Sequence, residues 1–381
     1  MEKRLKLIAF YDLLNVKFQR RFILSATTKL DYMISVLNRM GYSVDIISPA
    51  VAEGGMLALS KTETKQLGVN TLTTFGCISL PSKRLTRKVS GRQVFKKFKK
   101  YLFNTIKDGD YVIAYHSPRY AKTLADLRNE RNFILIGEVE EIYQDVRSMG
   151  QAFNTEEYDF FEACDRFIFP THLLDNKLNA SNNKKSITIH GLYNVEPDRN
   201  VKFNDNKIHV VYAGTFDPQK GGAAAAVAAT AFLPENYHIH ICGFGNHAAT
   251  EKIKEAIREI QNTAKATVSF DGMLKGEDFF QFIQKCEIGL STQNPDAAFN
   301  ATSFPSKVLN YLSNGLKVVT IDIPAVRHSS VGNHLFYYQK QTPEEIAAAI
   351  IEAHTNEGFN GRALLRSLDV KFEKDLEYLL K

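Results

Sequence analysis

Apolar positions in this chain gather into short runs rich in Val, Ile, Phe and Tyr, separated by longer stretches with apolar residues three or four apart. The short runs predict strands at 6–11 (KLIAFY), 42–48, 111–116, 133–139, 166–171 and 186–191. A second series follows at 209–215, 238–244, 267–272, 288–292, 317–322 and 334–339. Stretches 249–264 and 343–354 read as amphipathic helices, and the alanine run at 223–229 as a helix. Strands that alternate with helices imply parallel sheets covered on both faces. Two series of about six strands each imply an α/β chain of two doubly wound, Rossmann-like domains facing a central cleft. The joint is expected within NVEPDRNVKFNDNK (194–207), which is polar, contains proline and has no period.

Composition narrows the field. With 44% hydrophobic and 24% charged residues, wholesale disorder is excluded. Cys77, Cys164, Cys242 and Cys286 are far apart, with no C-x-x-C pair. That spacing argues against a disulfide scaffold or a structural metal, and suits a cytoplasmic setting. The N-terminal segment is expected not to be a signal peptide, and no run approaches the ~18 apolar residues of a membrane span. Net charge is +6 but uneven: residues 1–200 carry 30 Lys+Arg and 22 Asp+Glu. The first half is therefore the part expected to meet an anionic surface.

In open parallel sheets, ligands bind beyond the carboxyl ends of strands. VVYAGTFDPQKGG (210–222) runs from a strand through a glycine loop into a helix, with Lys220 in the loop. Backbone N–H groups, the helix N-terminus and that lysine suit a diphosphate, although a glycine turn beside a solvated lysine reads the same way. ICGFGN (241–246) supplies Gly243 and Gly245 but no full G-x-G-x-x-G, so a dinucleotide fold is not expected. In FNATSFPSKVLNYLSNGLKVVTID (299–322), Ser303 or Ser306 is expected to cap a helix with Pro305 in its first turn. Lys307 falls in that first turn, against the dipole, which a bound anion would offset.

The order GTFDPQKGG, CGFGN, SFDGML and FPSKVLNYLSNGLKVV resembles the donor half of retaining GT-B glycosyltransferases of family 4, common in bacterial surface polysaccharide assembly. The resemblance is specific over about 208–325 and looser over 1–195. It implies a metal-independent transferase without a cofactor, taking a nucleotide diphosphate sugar as donor and, with retention, a lipid-linked or growing surface glycan (capsule or lipopolysaccharide) as acceptor. The implied domains are 1–195 for the acceptor, 196–358 for the donor, and a helix over 359–381 crossing back to the first. By position, the resemblance assigns donor contacts to Gly214, Thr215, Lys220, Gly243, Gly245, Met273, Leu274, Thr302, Ser303, Phe304, Pro305, Ser306, Lys307 and Asn310. Thr302 and Asn310 stand where the family usually has two glutamates, and Thr215 where it often has arginine. The resemblance places His116, at a strand end, over the donor sugar. Glu138, Glu140 and Glu141 end the next strand, where like charges would raise a carboxyl pKa toward that of a general base.

SKRLTRKVSGRQVFKKFKKYLF (82–103) holds nine Lys+Arg and no acid. Phe95, Phe98 and Leu102 share one helical face, flanked by Lys96, Lys97, Lys99 and Lys100. This pattern predicts an interfacial helix on anionic lipid, and thus a peripheral position on the inner face of the cell membrane. Nucleic acid is the less favoured partner. The competing readings of the whole chain are a non-catalytic GT-B partner or glycan-binding protein, and a nucleotide-sugar epimerase.

Overall fold

The computed structural model describes residues 3–14, 16–143, 151–181, 183–217, 221–294 and 302–381, with backbone alone at 151–155. The chain divides into two compact units, one of 1–170, 174–189 and 372–381, the other of 171–173 and 190–371. The change of unit after Ile189 precedes the polar segment 194–207. The final helix, Gly361–Leu380, belongs to the second unit up to Lys371 and to the first from Phe372.

The first unit contains β1 (Lys3–Ile8), β2 (Tyr42–Ser48), β3 (Ala58–Leu59), β4 (Glu63–Leu67), β5 (Asn70–Thr74), β6 (Ile78–Ser79), β7 (Tyr111–Tyr115), β8 (Ile134–Glu138), β9 (Arg166–Phe169) and β10 (Lys185–Thr188). Eight of these form a sheet in the order β10-β9-β8-β7-β1-β2-β5-β4, parallel throughout except for β4. The strands are near-continuous apolar runs because helices cover the sheet. Among these helices are α1 (Leu24–Arg39), α2 (Lys83–Thr105) and α3 (Pro118–Glu130). Strand order reverses between β1 and β7, which places the ligand-binding crevice of this unit beyond their carboxyl ends.

The second unit has one parallel sheet in the order β13-β12-β11-β14-β15-β16. Its strands are β11 (Ile208–Thr215), β12 (Tyr237–Phe244), β13 (Thr267–Gly272), β14 (Ile288–Ser291), β15 (Lys317–Ile321) and β16 (Phe336–Tyr338). Here the order reverses between β11 and β14. Two parallel, helix-covered sheets agree with the expected α/β class.

Three expectations change. The first strand is Lys3–Ile8 rather than 6–11, because Lys6 reaches Asp110 at 2.7 Å and Tyr11 has left the sheet to bond Ser48. The hairpin β4–β5 was not expected; ETKQL carries no apolar alternation and is turned by Gly68 at φ 63°.

The third correction concerns the basic helix. α2 turns its apolar face inward: Val94, Phe98 and Leu102 are fully buried beside Phe75 and Tyr120. Phe95 is half-buried against Phe10 and Phe98. Phe98 therefore packs the core and is not free to enter a bilayer, while Phe95 is only partly covered. Periodicity shows that a face must be buried, not what buries it. Lys96, Lys97, Lys99 and Lys100 remain exposed, and Lys97 donates to the carbonyl of Gly76 at 2.7 Å.

Candidate functional site

In the second unit the reversal point is built from glycines and tyrosines. Tyr311 fits over Gly289, where a Cβ would lie 2.3 Å from the ring. Its hydroxyl accepts from the N–H of Ala213 at 2.9 Å and donates to the carbonyl of Leu290 at 3.2 Å, tying β11 to β14. Tyr311→Phe is expected to lower the unfolding free energy by about 1 kcal/mol, the usual net worth of such a bond, readable in a denaturant titration.

Gly214, at the end of β11, leaves room for Lys307, whose Cε would sit 2.4 Å from a Cβ there. Lys307 Nζ lies 4.5 Å from the centre of the Tyr212 ring and donates to its hydroxyl at 3.2 Å. The lysine is thus drawn back from its own helix, Ser306–Ser313, toward the end of β11. That helix begins at Pro305 with no side-chain cap, so the expected capping by Ser303 or Ser306 does not occur. Its other end follows expectation, at Asn314 and Gly315 with φ 89°. The helix Gly222–Ala229 likewise starts without a side-chain cap, from Gly221 at φ 63°. Thr292 Oγ1 donates to the carbonyl of Gly222 at 2.7 Å, joining the two loops at the reversal point.

The other expected donor residues sort by packing. Gly243 is required by close approach, since a Cβ would fall 1.8 Å from the carbonyl oxygen of Gly214; Gly245 packs against Phe216. Both secure the neighbouring strand ends. Phe304 stacks on His190 at 4.9 Å, and the carbonyl of Thr302 accepts from Thr171 at 2.6 Å. Thr215, Met273, Ser306 and Asn310 are exposed, while Leu274, Ser303 and Pro305 are partly so. Lys220 lies outside the described residues.

The reversal point of the first unit opens into a cavity of about 760 Å³. Phe10 follows β1, Tyr115 ends β7 with His116 and Ser117 just after it, and Arg119 lies in the first turn of α3; all line the cavity. Ser117 caps α3 by accepting from the N–H of Arg119 at 3.4 Å, with Pro118 in the first turn. His116 is buried among Tyr143, Phe160 and Phe161, its Nε2 3.3 Å from Glu157 Oε1. Burial lowers its pKa to about 3, against a smaller opposing effect of the Glu141 backbone, so the ring is neutral at physiological pH. A histidine whose pKa falls on folding contributes stability above its ordinary value near 6.5 and loses it as pH falls through that value. The unfolding free energy is expected to decline on acidification below pH ~6.5, and His116→Asn to flatten that decline in denaturant titrations.

The acidic segment differs from expectation in cause and membership. Lys29 of α1, buried to 5% exposure, reaches Glu138 at 2.7 Å and also pairs with Glu140. Burial is the main influence raising the pKa of Glu138; Lys29 opposes it, and Glu140 adds a smaller upward push. Like-charge crowding is therefore not the main cause. For Glu140, burial pushes upward, but attraction and hydrogen bonding from Lys29, with hydrogen bonding from Glu138, hold the carboxyl below its usual range. Glu138 is fully buried, so its carboxylate holds Lys29 rather than meeting a molecule in the cavity. Glu141 is partly exposed. Among the described residues no cluster of His, Cys, Asp or Glu has the geometry to hold a metal.

Sequence reasoning missed Lys29, Glu157 and the cavity arginines Arg21, Arg87 and Arg119. The signal for Lys29 was present: it lies in the buried stripe of α1 with Ala26, Leu30 and Met33.

Residues 207–356 match the family model described as Glycosyl transferases group 1. A search of curated proteins gives no match. Among solved structures, the fold is similar to an E. coli structure described as trehalose-6-phosphate bound with UDP-2-fluoro glucose. Identity is 12%, 99% of each chain is covered, and the TM-score is 0.67. It is also similar to an α,α-trehalose-phosphate synthase (UDP-forming) from Burkholderia xenovorans in complex with glucose-6-phosphate (10% identity, 98% of this chain and 96% of that chain, TM-score 0.61). A third is sucrose-phosphate synthase from Thermosynechococcus elongatus, at 14% identity, covering 100% of this chain and 95% of that chain, with a TM-score of 0.59. These likenesses establish the GT-B fold, and the family match supports a glycosyltransferase. Neither singles out the surface-polysaccharide enzymes of family 4.

Proposed function

We propose that this chain transfers a sugar from a nucleotide diphosphate sugar, bound by the second unit, to an acceptor held in the cavity of the first. The observation that carries this reading is Lys307 aimed at the end of β11 beside an uncapped helix N-terminus. Charge develops on the leaving diphosphate during transfer. A fixed ammonium and free N–H groups stabilise it there without reorganising. Lys220, on the glycine loop, supplies a second cation in this reading. Asn310, exposed on the same helix, offers an amide that both donates and accepts to a ribose.

Retention of configuration follows from the resemblance, and no residue is assigned as nucleophile. His116 acts as a neutral hydrogen-bonding group. Glu140 is kept ionised by Lys29, and neither it nor Glu141 is in the lining of the first unit's cavity, so neither is assigned a contact with the acceptor. A growing glycan is the proposed acceptor. Attachment to anionic membrane now rests mainly on the outward lysines of α2, since Phe98 is buried and Phe95 half-buried. Release of nucleoside diphosphate from UDP-sugars or GDP-sugars by purified protein tests the reading; a non-catalytic partner would bind them and release nothing.

A further inference from the structure

The cavity of the first unit is lined by three arginines from three separate segments: Arg21 ahead of α1, Arg87 on α2 and Arg119 on α3. Among the described residues Glu156 is the one carboxylate in its lining. Arg21 has Glu53 at 3.6 Å, whereas Arg87 and Arg119 form no ion pair with a described carboxylate. Beside this cavity lies a second, more open cleft of about 600 Å³. Lys96, Lys99 and Lys100 line it together with Phe103, and it shares Phe95 and Arg119 with the first cavity. The two hollows thus form one path of positive charge with aromatic rings along it.

Such crowding is unfavourable for the protein alone, since like charges within ~8–10 Å repel at ordinary ionic strength. A ligand bearing negative charges at intervals would relieve it. Guanidinium forks bind carboxylate or phosphate through paired hydrogen bonds, and flat rings suit the faces of sugars. The apolar face of α2 that a bilayer would take up is already buried at Val94, Phe98 and Leu102.

Resting on the transferase reading above, we propose that the acceptor is an elongated anionic glycan. Its acceptor end enters the arginine-lined cavity, and its preceding charged units lie in the lysine-lined cleft. The charge is carried as carboxylate or as phosphate; the chemistry recognised is a repeated oxyanion. The basic segment 82–103 then serves acceptor length rather than lipid.

The test measures binding of the purified full chain to two probe series of one to six units, oligogalacturonates and glycerol-phosphate oligomers. For at least one series, affinity should rise about tenfold or more between one unit and four, as one or two further charged contacts form, and then level off. The series that rises identifies the anion. The triple variant Lys96→Gln, Lys99→Gln, Lys100→Gln should lose this gain while its affinity for single units stays within about twofold. Arg119→Gln should weaken short and long probes alike. Arg84→Gln, Lys88→Gln, Arg92→Gln removes equal charge from α2 outside both hollows and should leave the gain intact. Equal loss in the two triple variants would overturn the proposal by showing a diffuse field. So would a flat length series in both probes, equal affinity for neutral oligosaccharides or single-stranded DNA, or binding only to anionic vesicles. Nucleotide-sugar turnover with a flat length series sinks this inference alone; no nucleotide-sugar binding or turnover sinks the transferase reading itself.

Discussion

Replacing Lys29 with methionine is expected to lower the unfolding free energy at pH 8 by about 3–5 kcal/mol, the cost of leaving buried charge without its partner. Lys29 Nζ lies between the carboxylates of Glu138 and Glu140, and the pair raises the lysine's own pKa despite burial. A lysine raised on folding contributes its stability throughout the range below its ordinary value near 10.5. The substitution should therefore destabilise at both pH 5 and pH 8. Glu138 makes the two values differ. Its pKa is raised, so the folded state keeps a proton that the unfolded chain releases; its contribution is present below the ordinary carboxyl value and is lost as pH rises. Without Lys29 the Glu138 carboxyl moves further in that direction and Glu140 loses the partner that holds it below its usual range, so protonation at pH 5 removes part of the penalty. Urea titrations should show a larger deficit at pH 8 than at pH 5, and Glu138→Gln in the methionine background should recover part of it. A deficit under about 0.5 kcal/mol at pH 8 would show that the cluster is not structurally important.

What the sequence disclosed follows from what each feature depends on. Buried parallel strands such as β2, β7, β11 and β12 are continuous apolar runs, and burial on both faces writes itself into composition. The hairpin β4–β5 is a half-exposed edge, so ETKQL carries no such record. The inward turn of Phe98 depended on Phe75 and Tyr120, which meet it from other segments. The glycines of 210–222 and 241–246 were visible as motifs, but the demand on Gly214 and Gly243 comes from Lys307 and from each other across the sheet. Lys29 illustrates the same limit. A lysine in the buried register of α1 signals a buried partner, and three acids at 138–141 signal a need for a cation; only the fold joins them.

The second large effect is expected at Lys307. Changing it to glutamine removes the charge near the end of β11 while keeping a hydrogen-bond donor on a side chain one atom shorter. A hydrogen bond to a charged group contributes about 1.5–3 kcal/mol, so affinity for a nucleoside diphosphate should fall roughly tenfold to a hundredfold. Affinity for the nucleoside should change by less than about twofold, because it offers no charge to lose. Tm should remain near that of the unmodified protein, since Tyr212 keeps its bond from hydroxyl to the carbonyl of Thr215. Equal weakening for nucleoside and diphosphate would make Lys307 a packing residue over the tyrosine ring.

The second unit is proposed to hold a nucleotide diphosphate sugar, and the protein to break the bond between that sugar and the diphosphate. Calorimetry of the unmodified protein with UDP, GDP, ADP and CMP identifies the base; the matching nucleotide sugar is then incubated with protein, and free nucleoside diphosphate is followed over time. One nucleoside diphosphate should bind much more tightly than its nucleoside, and its sugar conjugate should be consumed faster by the unmodified protein than by the Lys307→Gln variant. Failure of all four nucleotides to bind, or tight binding of a nucleotide sugar that stays intact in the presence of acceptor glycans, would contradict it.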